Sequence, residues 1–381
     1  MKVCAVFNTD QLGGAERSFI NSLADLPDYA KVSIWIPKLK DPERLEQTIL
    51  SLLPKAHVMR FKLNGFYYRS SRTSKFSKPL LLLSFIFALW RIKGFPLKDT
   101  DILWLNGNKV GALFTVLCML RNWKGSIWWH LRDYFPASSL LKRLIDRKTP
   151  FEKHFIANSF SVMDDFKQQY PWQKHLHVLY NSPPQVAINA SEAREFKGSI
   201  GIASMLTPWK GQHDILWMAY RQEEKLVELG IREIILYGDD IYLTNRQHQN
   251  YKAALEKIAS KFSQIKIVFA GLKPLSEIYS SLDILIHSSI KREPFGRVIV
   301  EAMANGLPVL STGLGGAGEL VNNERAFCYE PAHDHMFIEA LESAILDISN
   351  PVRRKKAIQF VNDLQKQIKQ QYSDLIGSYI L

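Results

Sequence analysis

Short apolar runs closed by polar or turn-forming residues recur along the first half of the chain: KVCAVF at 2–7, VSIWI at 32–36, DILWL at 101–105, SIWWH at 126–130 and HFIANS at 154–159. Helix-like segments, among them Glu16 to Leu26 and Lys109 to Arg121, lie between them. Strands alternating with helices predict a parallel sheet whose working edge lies at the strand C-termini. The pattern restarts after Asn181-Ser182-Pro183-Pro184, with KGSIGIAS at 197–204, EIILYGDD at 233–240, IKIVFAG at 265–271, DILIHSS at 283–289 and LPVLST at 307–312. The Pro-Pro segment reads as a linker, so a domain boundary is expected near 180–195. Residues 1–182 and 183–350 are then two α/β domains. Residues 351–381 read as a charged, then amphipathic, terminal helix. No short-period repeat or low-complexity tract interrupts this plan.

Length agrees with that division, since 381 residues exceed one typical domain. Apolar residues make up 46%, ample for two cores. Cys4, Cys118 and Cys328 are too few and too widely spaced for a disulfide framework or a zinc site, which implies a reducing compartment. The opening MKVCAVFNTD is a short strand without a signal-peptide core, so the chain is expected to begin at Met1 and to be cytoplasmic.

Charge changes the picture more than composition does. Residues 1–180 hold 27 Lys and Arg against 14 Asp and Glu, which accounts for the whole of the net +12. Between residues 47 and 98 stand ten basic residues (Lys55, Arg60, Lys62, Arg69, Arg72, Lys75, Lys78, Arg91, Lys93, Lys98) and no acidic one. Such a stretch attracts phosphate-bearing partners. Inside it lies PLLLLSFIFALW, Pro79 to Trp90, too short for the roughly 20 residues that span a bilayer. It suits either a helix in the interface of an anionic membrane or a buried core helix, and the basic flanks favour peripheral membrane contact. No RNP-like motif, zinc-finger spacing or helix-turn-helix signature points to nucleic acid.

Candidate chemistry concentrates in EPFGRVIVEAMANGLPVLSTGLGG, Glu293 to Gly316. The apolar positions after Gly296 predict a helix from the Pro-Phe-Gly turn to Asn305-Gly306. Glu293 then precedes the helix N-terminus and Glu301 lies about two turns in. The free N–H groups of such a terminus favour an anion, while carboxylates beside it need hydroxyl donors, for which sugar or ribose hydroxyls serve. Gly13-Gly14, after the first strand, lets the backbone approach a ligand at another helix start. His130 is placed at a strand's end with Arg132 and Asp133 in the following loop. Asn106, Asn158 and Asn181 also follow apolar strands, as cleft-facing groups or as turn formers.

The long motif resembles the donor-site signature of the GT-B glycosyltransferases, in particular the retaining family 4. It matches at Glu293, Phe295, Gly296, Glu301, Ala302, Met303, Ala304, Gly306, Pro308, Val309, Gly315, Gly316 and Glu319. The segment SMLTPWKGQHDI is similar to the family's phosphate-gripping loop at Pro208, Lys210 and Gly211, with Met205 where the family has arginine. Arg292 or Arg297 could supply that missing contact. The resemblance implies two Rossmann-like domains facing across a cleft, with the C-terminal helix crossing back to the first domain. It implies a retaining transferase moving a sugar from a UDP- or GDP-sugar to a glycan or lipid-linked acceptor, with no metal or other cofactor. Glu301 would take ribose hydroxyls, Glu293 sugar hydroxyls, and Lys210 with the Phe295 to Arg297 backbone the diphosphate. Gly13 and Gly14 would lie near the phosphates, with Leu272, beside Gly271 and Gly238-Asp239, near the nucleoside. His130 would stand by the reacting sugar and Glu16, Arg17, Asn106 and Asp133 on the acceptor side. For Asp133 a loop capping role explains the sequence equally well, and for Glu16 and Arg17 a solvated first helical turn is the alternative. Rivals are a sugar-nucleotide epimerase or phosphorylase on the same fold, or a non-catalytic membrane binder. The first two lack the extra carboxylates or the pyridoxal lysine they need. An acceptor at the inner membrane face would account for the basic first half.

Overall fold

The computed structural model describes residues 1–39, 42–63, 78–135, 139–187, 194–239 and 246–377, so Arg69, Arg72, Lys75 and Asp240 lie outside the described residues. Seven strands belong to the first half of the chain: β1 Lys2–Val6, β2 Lys31–Lys38, β3 His57–Lys62, β4 Ile102–Asn106, β5 Ser126–Leu131, β6 Glu152–Ala157 and β7 Leu176–Val178. They form one sheet in the order β3-β2-β1-β4-β5-β6-β7, parallel throughout. Six more strands, β8 Ser199–Ala203, β9 Glu233–Tyr237, β10 Lys266–Gly271, β11 Ile284–His287, β12 Val309–Ser311 and β13 Phe327–Cys328, pair in the order β10-β9-β8-β11-β12-β13. These pairs are parallel as well.

Parallel strands joined by crossover helices are covered on both faces, so their interior members read as continuous apolar runs. β4 (ILWLN) is buried at every position, whereas the edge strand β3 (HVMRFK) mixes apolar and charged residues with no continuous apolar run. That mixture is why the sequence gives no strand signal for β3. β7 and β13, with three and two residues, are too short to leave a periodic signal.

The chain folds into two compact units, one of Met1–Ser182 with the chain from Ile368 onward, the other of Pro183–Gln367. The 26-residue helix Val352–Gly377 contributes residues to both. Side chains alternate across each sheet. In the first unit Trp129 and Leu131 enter a core with Phe135, Phe155 and Phe166 on one face. Trp104, Trp128 and His130 lie on the opposite face, where Phe19 and Tyr372 pack edge-on or tilted against Trp104.

In both sheets the order of connection reverses once, between β1 and β4 in the first and between β8 and β11 in the second. Loops leaving the C-terminal ends of such a strand pair diverge, and the crevice between them is where open α/β sheets bind ligands. Of the residues read from the sequence as donor-binding, Lys210, Glu293, Phe295 and Gly296 fall on those loops in the second unit, Arg297 and Glu301 on the helix that follows, Leu272 after β10, and Gly13 and Gly14 after β1 in the first unit.

Candidate active site

β8 ends at Ala203 and leads through a short 3₁₀ turn, Pro208–Lys210, to the helix Gln212–Arg221. Gly211 links them in a left-handed conformation at φ 72°, and a Cβ there would meet the Ser288 carbonyl oxygen at 2.0 Å. Only glycine satisfies both constraints. The close approach lets the Ser288 hydroxyl donate to the Lys210 carbonyl at 2.7 Å, tying the loop after β8 to the loop after β11.

Lys210 Nζ then lies 2.5 Å from Glu293 Oε2 and 4.2 Å from the centre of the Trp209 ring. Ser289 Oγ donates to the same carboxylate oxygen at 2.9 Å, and His287 Nε2 stands 3.7 Å away. His287 is itself oriented by Ser311 Oγ at 3.1 Å from Nδ1. Burial pushes the Glu293 carboxyl upward, but hydrogen bonding with His287 and the Lys210 charge outweigh it and bring its pKa down to about 2. Glu293 is therefore an ionised, buried carboxylate at neutral pH. Its backbone is pinned too: its N–H donates to Leu314 O at 2.9 Å and its carbonyl accepts from Gly316 N–H at 2.7 Å. The two ends of the long motif thus meet in space.

Three residues on, Gly296 at φ 92° turns the chain into the helix Arg297–Ala304. Phe295, 2% exposed, anchors that turn, while Ile299, Val300, Ala302 and Met303 bury the helix flank. The helix thereby starts four residues after Glu293 of the Lys210–Glu293 pair. Glu301 is buried, accepting from Tyr279 Oη at 2.8 Å and from Arg297 Nη2 at 2.6 Å. Each of its oxygens retains a second acceptor direction for a ligand hydroxyl. Leu272, 70% exposed, follows the end of β10.

The first unit treats its predicted site residues differently. His130 is not the last residue of its strand, which runs to Leu131, and strand alternation turns its ring into the face covered by Phe19. It is fully buried and stacked on Trp104 at 6.0 Å, with no hydrogen bond at either ring nitrogen. Burial, then the charge of Arg132, pushes its pKa well below the ordinary value. The structure thus encloses His130 between Phe19 and Trp104. The residue at the strand exit is Arg132, whose Nε donates to Asn106 Oδ1 at 2.9 Å and Nη1 to Asn181 Oδ1 at 2.6 Å. Arg132 was passed over in the sequence, though its spacing of two from His130 put it on the same face just beyond the pairing.

Glu16 is likewise buried, and its carboxylate turns back to accept from Gly13 N–H at 3.2 Å, stabilising the start of helix Gly14–Ala24. This first-turn carboxylate thus meets the helix's own orphan donor. Arg17 and Gly14 are exposed, and Asp133 accepts from the N–H of Tyr134 in its own loop at 2.9 Å. Asn158 is buried beyond β6. Among the described residues no group of three or more His, Cys, Asp or Glu could hold a metal ion.

Residues 188–360, which include Lys210, Glu293 and Glu301, match the family described as glycosyl transferases group 1. An uncharacterized glycosyltransferase of Methanocaldococcus jannaschii is 31% identical over 157 residues, 39% of this chain and 38% of that protein. A GDP-mannose-dependent alpha-mannosyltransferase of Mycobacterium tuberculosis is 41% identical over 61 residues, 15% of this chain and 16% of the other. The chain thus spans well under half the length of the curated relatives it matches. Among solved structures, Anabaena HepE in complex with UDP and glucose superposes with a TM-score of 0.73 at 21% identity, covering 99% of this chain and 100% of that one. An E. coli trehalose-6-phosphate protein bound with UDP-2-fluoro glucose gives 0.73 at 13% identity over 99% and 98%. The two parallel sheets give the chain the GT-B fold of these solved structures, and the sequence match to glycosyl transferases group 1 is confined to its second half.

Proposed function

We propose that the protein transfers a sugar from a nucleoside-diphosphate sugar to an acceptor hydroxyl, with retention of anomeric configuration. The observation that carries this is the Lys210–Glu293 pair beside the start of helix Arg297–Ala304. A nucleoside diphosphate is the ligand that uses both charges at once. Its phosphates would take the Lys210 ammonium and the helix N–H groups, and the sugar hydroxyls would donate to the Glu293 carboxylate. As the glycosidic bond to the diphosphate breaks, negative charge grows on the leaving oxygen. An ammonium already fixed at that point stabilises the transition state more than the ground state.

Glu293 has a second task in this reading. Without a ligand it holds Lys210 in place, and on donor binding it exchanges part of that pairing for sugar hydroxyls. His287 and Ser289 would keep the carboxylate ionised and aimed throughout. Glu301 would take the ribose hydroxyls on the lone pairs left by Tyr279 and Arg297, with Leu272 against the base. Met205 would leave the second cationic contact to Arg297. The positive charge supplied by Lys210 and the helix start would serve where other folds place a divalent ion, so turnover should survive a chelator. UDP- and GDP-sugars head the candidate donors because proteins of similar fold or partial sequence bind or use them. The acceptor, a glycan or lipid-linked sugar, would be held by the basic first unit. Retention follows the family 4 resemblance.

The test is turnover of a panel of UDP-, GDP- and ADP-sugars, with the product's anomeric configuration read by NMR. The expected result is release of one nucleoside diphosphate with retention. Epimerised donor without transfer, phosphate-dependent cleavage, or an inverted product would overturn the reading.

A further inference from the structure

The helix Lys78–Arg91 (KPLLLLSFIFALWR) is apolar nearly all round, yet only one side of it is inside the protein. Ser84 and Ala88 are buried, and Phe85 and Leu89 pack on the first unit's core, with Ile92 just beyond the helix end. The opposite side carries Leu82, Leu83, Ile86, Phe87 and Trp90, between 42% and 62% exposed. Their spacing of three and four residues makes one continuous stripe, about 12 Å long at 1.5 Å per residue. A helix whose apolar circumference exceeds its buried arc has surface in excess of what folding needs. One arc of the helix is thus a core helix, as one of the two sequence readings had it, while the other arc stays exposed.

Positive charge frames this stripe. The Arg91 guanidinium lies 5.2 Å from the Phe87 ring centre and the Lys93 ammonium 5.4 Å from that of Trp90, while Phe87 and Trp90 stack at 5.7 Å. Each basic group thus caps an exposed ring, with its charge outward and its stem along apolar surface. No acidic residue occurs from 47 to 98 to neutralise them. Among the described residues no helix is long and apolar enough to cross a membrane.

We propose that this face seats the protein on an anionic bilayer surface, with Leu82, Leu83, Ile86, Phe87 and Trp90 among the upper acyl chains and Arg91 and Lys93 at the lipid phosphates. A helix lying in the interface with apolar side chains down and basic groups at headgroup level is what this arrangement fits. The like charges on the rim oppose a second copy of the same face, since pairing would bring Arg91 and Lys93 against their equivalents. The proposal stands apart from sugar transfer. Only its corollary, that the acceptor is carried on a lipid, rests on that reading.

The experiment is flotation of the full chain with phosphatidylcholine vesicles, with and without phosphatidylglycerol, at low and high salt. The variants are Leu83→Gln/Phe87→Gln and Arg91→Glu/Lys93→Glu, each checked by melting temperature and sedimentation. The parent is expected to float with the anionic vesicles only and to lose about tenfold in binding at high salt. The apolar pair should lower binding by at least about tenfold at unchanged melting temperature, because the replaced side chains are already in water. The charge-reversal pair should remove the preference for phosphatidylglycerol. Three outcomes overturn the proposal: no flotation of the parent, equal flotation of the variants, or a parent dimer that Leu83→Gln/Phe87→Gln dissociates. Loss of donor turnover in the same samples would bear on the transfer reading and not on this one.

Discussion

The two sheets share a topology but their switch-point loops hold opposite kinds of chemistry. In the second unit the loops after β8 and β11 bring an ammonium, a carboxylate, a histidine and a serine hydroxyl within hydrogen-bonding or ion-pair distance, at a helix start. In the first unit the strand exits gather one guanidinium and two asparagine oxygens, and the histidine expected there is sealed in aromatic packing. The comparison teaches that a reactive-looking residue near a strand end is placed by its parity in the pleat. His287 and Ser289 share a parity that leads to Glu293, whereas His130 shares its parity with Trp104's neighbours in the core.

The sharpest way to break the contrast is to remove one member of the charged pair. Lys210→Ala and Glu293→Gln should each lower kcat by about 10²–10³-fold, the range for losing a charge-stabilising group. Lys210→Ala should also cost up to about 3 kcal/mol in urea unfolding, since it leaves a buried carboxylate without its cation. The first unit should behave otherwise. His130→Phe, which fits the aromatic enclosure, is expected to keep turnover within about threefold, as a buried ring without polar partners has no hydrogen bond to lose. Arg132→Ala should cost about 1–3 kcal/mol by leaving Asn106 and Asn181 unpaired. A loss of 10²-fold in His130→Phe would reverse the comparison.

Acidity separates the units again. Glu293 has a folded pKa depressed to about 2 from 4.5, so its contribution to stability is complete above pH 4.5 and is lost as pH falls toward 2. In the first unit His177, 3.2 Å from His154 Nδ1, is pushed by burial and then by its histidine neighbours down to about 4 from 6.5. Its contribution is complete above pH 6.5 and is lost between 6.5 and 4. Melting temperature against pH should therefore show a first decline in that upper window, reduced by His177→Phe, and a second one below pH 4.5, reduced by Glu293→Gln. The smallest expected effect belongs to Leu272→Ala. Because the side chain is exposed, the donor KM should rise by about two- to threefold at unchanged kcat.

Much of the second unit was legible because its chemistry is local. Glu293, Gly296 and the helix to Ala304 lie within twelve residues, and turn and periodicity rules place them without knowledge of the rest. Lys210 was legible through its Pro-x-Lys-Gly setting. What escaped were partners outside that stretch: Tyr279 on Glu301 and His287 on Glu293 owe their contacts to how β11 and the helix before it pack, which single-strand patterns do not encode. Arg132 escaped for a further reason. The strand runs one residue past His130, so the residue of the same face that emerges at its exit is Arg132, two positions on. The helix Lys78–Arg91 was visible as apolar, but which arc of it is buried depends on the core it meets.

The central claim is that Lys210 and the neighbouring helix start form a diphosphate site. The most direct measurement is the melting temperature of the parent and of Lys210→Ala across a titration of UDP and GDP, because a ligand that binds only the folded state raises it. The account predicts that one nucleotide raises the parent's melting temperature by several degrees, on the order expected at 100 times Kd, and that Lys210→Ala loses most of the shift. A parent indifferent to both nucleotides, or a variant that responds as the parent does, would contradict it.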